Sequence, residues 1–137
     1  LQPGFEDKST RVRGAVVLYG IANLVGLVEE PVYPMASWLL ERVVFRRRFR
    51  DEPDLFHRAQ PLTYLSDKAP PILLVHGEND SLIPIEEARQ FFAKLGHAGA
   101  TRVHLCEIPL AVHAFEIVPS PLHQRAVRII RSFMDSL

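Results

Sequence analysis

The feature of the sequence that most constrains its fold is a set of short apolar runs separated by helix-like segments. The run from Ala15 to Tyr19 is bounded by glycines, and the run from Ile72 to Val75 follows two prolines. Continuous apolar runs of this kind are typical of strands covered on both faces, and we expect the first to be a central strand. A third strand is predicted from Val103 to Ile108. Because helical segments alternate with the strands, the sequence predicts an α/β fold, a parallel sheet with right-handed crossovers and flanking helices.

Start and stop signals place a helix after each of the last two strands. The first helix should begin after Pro84 and stop at Gly96. The second should begin at Ser120 and Pro121, since serine caps helices and proline is common in their first turn. Residues 21–65 have irregular helical periodicity and are predicted to form helical insertions over the sheet. Apolar residues at helical spacing in these segments are Ala88, Phe91, Phe92 and Leu95; Ala126, Ile130, Phe133 and Leu137; and Met35, Trp38, Leu39, Val43 and Phe45.

Two polar residues follow successive predicted strands. Asp80 ends the turn after the second strand, and His113 lies in the loop after the third. In open parallel sheets, ligands bind outside the carboxyl ends of the strands. Because those ends share one edge of the sheet, we expect the Asp80 carboxylate and the His113 imidazole to lie within hydrogen-bond distance.

The segment Pro70 to Pro84, the helix end at Leu95 and Gly96, and His113-Ala114-Phe115 resemble the C-terminal half of esterase-type α/β-hydrolases. The resemblance is greatest to hormone-sensitive-lipase-like esterases and to acyl-carbohydrate or formamidase-like esterases. It covers nearly the whole chain. It implies that residues 1–137 are the C-terminal portion of one α/β-hydrolase domain, with a cap-like helical insertion at residues 21–65.

The resemblance implies a serine carboxylesterase or lipase that hydrolyses small acyl esters. In this fold the catalytic residues follow the order serine, acid, histidine. Asp80 would then orient the imidazole, and His113 would transfer the proton. The segment from Leu24 to Leu65 would shape an apolar pocket for the acyl group. No cofactor is implied.

The nucleophile of this family is missing from the sequence. It should lie in a G-x-S-x-G turn, yet no serine here has glycines at that spacing, and no glycine-rich oxyanion loop is present. Leu1 to Glu6 resembles the stretch after the nucleophile helix, and the chain begins without methionine. We therefore expect the missing half to lie upstream and this chain to be inactive alone. The strand from Ala15 to Tyr19 would pair with that N-terminal half or with a second copy of the chain.

Several residues have alternative interpretations. Asp80 could have no role other than to stabilise its turn through local hydrogen bonds, and Glu78 could replace it as the catalytic acid. His76 is interpreted as a support of the turn, and Cys106 as a small buried apolar residue rather than a catalytic thiol. A second function also stays open, that of a catalytically inactive, hydrolase-like interaction module that offers the strand at residues 15–19 to a partner.

Charge and composition argue against several other classes of protein. Sixteen basic residues balance sixteen acidic ones, and the arginines at positions 46–48 lie near acidic residues, so we predict a solvated surface there and no nucleic-acid partner. No apolar run approaches the roughly 20 residues that span a bilayer. The single cysteine fits a reducing, cytoplasmic compartment. We predict no metal, because the histidines at positions 57, 97, 104 and 123 lack metal-ligand spacing.

Overall fold

Three parallel strands form the sheet of this chain, for which a computed structural model describes residue 4 and residues 7–29 and 33–137. The strands are β1 (Ala15–Leu18), β2 (Ile72–Gly77) and β3 (Val103–Ile108). The helices are α1 (Leu24–Glu29), α2 (Pro34–Leu39), α3 (Pro53–Ala59), α4 (Ile85–His97) and α5 (Pro121–Asp135), with a π-helical turn at Leu40–Val44 and a 3-10 turn at Pro61–Tyr64. This order confirms the predicted alternation of strands and helices. The resemblance noted for Leu1 to Glu6 falls, except for Gly4, outside the described residues.

The strand order in the sheet is β1-β2-β3. Ile72 at the start of β2 lies opposite Ala15 of β1 and Val103 of β3, and both pairings are parallel. All residues of β2 are buried, whereas those of β1 are only partly buried. Among the described residues β1 is the edge strand, because no described strand pairs with its outer side. Its expected place as a central strand of the sheet stays a prediction.

The two faces of the sheet are covered by different helices. Leu73 and Val75 of β2 belong to a core cluster with Ala126 and Phe133 of α5. Their neighbour Leu74 points to the other face and packs with Leu95 of α4. Side chains alternate between the faces of a strand, so a continuous apolar run requires a helix on each side. This arrangement confirms the prediction of flanking helices.

Helix α4 begins directly after Pro84 as predicted, but its end and its apolar face differ from the prediction. It continues one residue beyond Gly96, and the left-handed residue that follows it is Gly99, with φ +90°. Phe92 is 39% exposed and is therefore not part of the buried face. Ala88 and Leu95 are buried as expected.

Helix α5 begins at the predicted cap. The Ser120 hydroxyl oxygen accepts a hydrogen bond from the His123 N–H at 3.1 Å, and Pro121 is the first helical residue. Of its predicted apolar face, Ala126 and Phe133 are buried, and Ile130 and Leu137 pack against them.

The insertion at residues 21–65 forms the short helices α1, α2 and α3. Its buried residues are not those at helical spacing in the sequence, since Met35, Trp38 and Val43 are more than half exposed. Instead, a cluster that includes Leu24 and Leu40 packs against Ile83 in the loop after β2. The insertion therefore lies against the loop that carries Asp80. None of the described helices is long and apolar enough to cross a membrane.

Candidate active site

The loops after β2 and β3 are joined by backbone hydrogen bonds at the carboxyl edge of the sheet. The N–H of Glu78 donates to the carbonyl oxygen of Ile108 at 3.1 Å, and the N–H of Asn79 donates to that of Ala111 at 2.9 Å. A Cβ atom at Gly77 would lie 2.4 Å from the Ala111 carbonyl oxygen. Only glycine at position 77 lets the two loops approach this closely.

We predict that Gly77→Ala destabilises the protein by about 1–3 kcal/mol, since the added methyl group must displace backbone atoms. The matched control is Gly96→Ala in α4, where nothing lies within 4 Å of the added Cβ. The control should be neutral or stabilising, because alanine favours helix over glycine. Urea denaturation of both variants measures the difference, and equal stabilities would contradict the close approach.

The Asp80 side chain is fully buried and uses both carboxylate oxygens. Oδ1 accepts hydrogen bonds from the N–H groups of Leu82 at 2.9 Å and Ile83 at 2.8 Å. Oδ2 lies 2.8 Å from Nδ1 of His113. Oδ1 therefore stabilises the turn, and Oδ2 contacts the imidazole. The Asp80 carboxylate is thus placed both to stabilise its own turn and to orient His113, with a different oxygen for each.

The neighbouring residues of the same turn have different environments. Nε2 of the buried His76 lies 2.8 Å from the Ile83 carbonyl oxygen and 3.4 Å from Oδ2 of Asp80. A carbonyl can only accept, so this nitrogen carries a proton and donates it. Glu78 is exposed. The carboxylate buried against His113 is thus that of Asp80, and His76 supports the turn as the sequence suggested.

His113 lies at the surface end of this arrangement. Its side chain is 29% exposed, and its Nδ1–H donates to Asp80, which leaves Nε2 available as a proton acceptor. Leu110 and Ala114, on either side of His113, have φ values of 64° and 58°. Side-chain-bearing residues adopt this left-handed conformation only at a cost, so the loop is held in an unusual shape. The predicted proximity of Asp80 and His113 is observed, and their catalytic roles stay a prediction.

A tyrosine at the end of β1 completes the arrangement. The Tyr19 ring lies 4.3 Å from the His113 ring, centroid to centroid, and the two planes are tilted by 54°. Its hydroxyl group donates to Oε1 of Glu116. Burial, together with the hydrogen bond and charge of Glu116, raises the pKa of Tyr19 to about 12, so the phenol is a neutral donor near pH 7. Sequence reasoning missed this pair, although an aromatic residue at the carboxyl end of β1 is the signal that could have indicated it.

The remaining candidates lie elsewhere. Burial raises the pKa of the Cys106 thiol, which disfavours the reactive thiolate. Arg47 pairs with Glu52 on the surface of the insertion, as expected for a solvated group. Within residues 7–29 and 33–137 no group of three or more His, Cys, Asp or Glu side chains is placed to hold a metal ion.

A parallel sheet with an aspartate after one strand and a histidine after the next is the arrangement of the C-terminal part of an esterase/lipase-type α/β-hydrolase fold. The chain belongs to the BD-FAE family, whose family model matches residues 2–95.

Comparison with known proteins agrees with this assignment. The chain is 37% identical over 134 residues to Esterase LipQ of Mycobacterium tuberculosis and 35% identical over 133 residues to the probable carboxylic ester hydrolase LipM of the same organism, covering 98% and 97% of this chain. It spans 31% of the length of each of these relatives. A propionate-bound thermophilic esterase of Thermogutta terrifontis superimposes with a TM-score of 0.70 at 21% identity, over 99% of this chain and 47% of that one.

Proposed function

We propose that this chain is the C-terminal part of a serine ester hydrolase and that it supplies the acid, Asp80, and the base, His113, of its catalytic triad. The observation that carries the proposal is the 2.8 Å contact between a fully buried carboxylate and a partly exposed imidazole at the carboxyl edge of a parallel sheet. The similarity to two mycobacterial proteins named as ester hydrolases supports it.

In the proposed reaction, a serine hydroxyl attacks the acyl carbonyl carbon while Nε2 of His113 accepts the hydroxyl proton. The imidazolium then gives this proton to the departing alcohol oxygen as the ester C–O bond breaks. A water molecule hydrolyses the acyl-serine by the same two proton transfers. Asp80 holds the tautomer with the proton on Nδ1 and stabilises the positive charge that forms on the ring.

We assign the insertion at residues 21–65 to the cap of the domain and propose small acyl esters as substrates. The apolar cluster of the insertion packs against Ile83, which lies three residues after Asp80 and donates its own N–H to the Asp80 carboxylate. This packing supports a cap beside the site. The propionate bound to the similar thermophilic esterase contains a short acyl group, which agrees with small acyl esters as substrates.

The serine is proposed to come from an N-terminal half that pairs with β1. The partial burial of β1 and the absence of a described strand on its outer side support this proposal. The chain also spans only 31% of the length of Esterase LipQ, which agrees with a further part of the protein. The same open edge favours the second candidate, an inactive module that binds a partner through β1.

Labelling with a fluorophosphonate tests the proposal, because this reagent modifies only a serine that a base has activated. We expect the full-length protein to be labelled at one serine outside residues 1–137 and to hydrolyse p-nitrophenyl acetate until it is labelled. His113→Ala should abolish both labelling and hydrolysis. An unlabelled, inactive full-length protein would favour the binding module, and a label on a serine within residues 1–137 would place the nucleophile in this chain.

A further inference from the structure

Tyr19 is held from three sides at the end of β1. Its N–H donates to the carbonyl oxygen of Val75 at 2.9 Å, its hydroxyl group donates to Glu116, and its ring contacts His113. Its φ of 38° lies in the left-handed region, which a residue with a bulky side chain rarely adopts. Such a conformation persists only where surrounding contacts fix it, and these positions concentrate at functional sites.

Glu116 connects this tyrosine to the histidine loop. It lies three residues after His113, while Tyr19 lies on the far side of β2, so the hydrogen bond between them joins β1 to the loop after β3. The second carboxylate oxygen, Oε2, is buried and has no hydrogen-bond partner among the described residues. The main-chain oxygen of Glu116 lies 2.5 Å from Nδ1 of His123, which fixes the loop to α5.

The imidazole changes its charge during the proposed reaction, and its neighbours favour one of the two charge states. The face of an aromatic ring attracts a cation, and a carboxylate beyond that ring adds a negative charge in the same direction. The titratable groups around His113 are Asp80 on the loop after β2, Tyr19 directly after β1 and Glu116 on its own loop, with His76 behind Asp80. Both carboxylates favour the imidazolium, and the neutral phenol presents its ring to it.

We propose that Tyr19 and Glu116 act as a positioning pair that holds the His113 ring in the plane set by Asp80 and favours its cationic form during proton transfer. The pair acts through the His113 ring and not on the serine or the ester. The proposal rests on the proposed function of His113 as the base.

Three variants of the full-length protein separate the parts of this pair. Tyr19→Leu removes the ring, Tyr19→Phe keeps the ring and removes the hydroxyl group, and Glu116→Gln removes the charge. Asp135→Asn is the control, because Asp135 is an exposed carboxylate at the end of α5. This end of α5 lies near the amino end of β1, where Leu137 approaches Gly14, and is therefore at the opposite edge of the sheet from His113.

For Tyr19→Leu and Glu116→Gln we expect kcat for p-nitrophenyl acetate to fall about tenfold with little change in KM, as for an interaction made mainly in the transition state. The acid limb of the kcat/KM profile should move to lower pH, because the imidazolium loses stabilising neighbours. Tyr19→Phe should leave the acid limb closer to wild type, and Asp135→Asn should match wild type throughout. A purely structural role would not move the acid limb.

A second measurement needs no activity. The Nδ1 proton of His113, followed by NMR in the free protein, should exchange with water faster in Tyr19→Leu and Glu116→Gln than in wild type or Asp135→Asn. Unchanged exchange and an unchanged acid limb in folded variants would overturn the positioning pair. If the wild-type protein has no hydrolysis that His113→Ala abolishes, the proposed function fails, and the exchange rates alone then decide whether the pair positions the ring.

Discussion

Replacing Asp80 by asparagine should lower kcat for ester hydrolysis by the full-length protein about 10⁴-fold, a loss of the size found when a triad acid becomes an amide. The asparagine oxygen can still accept the N–H groups of Leu82 and Ile83, so the loop keeps its fold. Its NH2 group, however, then faces Nδ1 of His113 as a second donor. The imidazole responds by placing its proton on Nε2, and it can no longer accept the serine proton.

Glu78→Gln is the matched control for Asp80→Asn. Glu78 lies two residues earlier in the same turn and is exposed, so its change to an amide should alter kcat/KM by less than about twofold. Initial rates with p-nitrophenyl acetate and thermal melting curves of both variants are the measurements. If Glu78→Gln removed activity while Asp80→Asn retained it, Glu78 would be the acid, and the contact between Asp80 and His113 would serve the fold alone.

The sheet and the pairing of Asp80 with His113 could be predicted because they depend on local patterns and simple topology. A short apolar run specifies a strand, and the predicted bounds of β3 agree with the structure residue by residue. In a parallel sheet the residues after neighbouring strands meet at one edge. Residues far apart in the sequence, such as Asp80 and His113, therefore come together without any knowledge of the loops.

The contacts of Tyr19 with His113 and Glu116 could not be predicted in the same way. They depend on the left-handed conformations of Tyr19 and Ala114, and neither residue is of a type that favours this conformation. The exposure of Met35 and Trp38 in α2 could not be predicted either, because a short helix that packs over a loop buries whichever side faces that loop. Helical spacing alone does not specify that side.

The position of β1 at the edge of the described sheet gives the second large expected effect. Ala15 donates its N–H to Pro71, directly before β2, and Tyr19 donates to Val75 of β2, so by alternation the N–H groups of Val16 and Leu18 point outward. An open apolar edge pairs readily with another strand. We expect the isolated chain to form concentration-dependent assemblies in light scattering and to show no hydrolysis of p-nitrophenyl esters.

Adding the proposed N-terminal half should convert these assemblies to a one-to-one complex and bring esterase activity from none to that of the full-length protein, because the proposed triad acts as a unit and needs its serine. Val16→Pro tests whether β1 is the contact, since proline removes an outward N–H and leaves the bonds to β2 in place. Val16→Thr, which keeps both the N–H group and the β-branched shape, is its control. We expect Val16→Pro to prevent both assembly and activation and Val16→Thr to permit both. A folded chain that stays monomeric at all concentrations would show that residues 1–137 close their own core, and activation of Val16→Pro by the N-terminal half would mean that the halves join elsewhere.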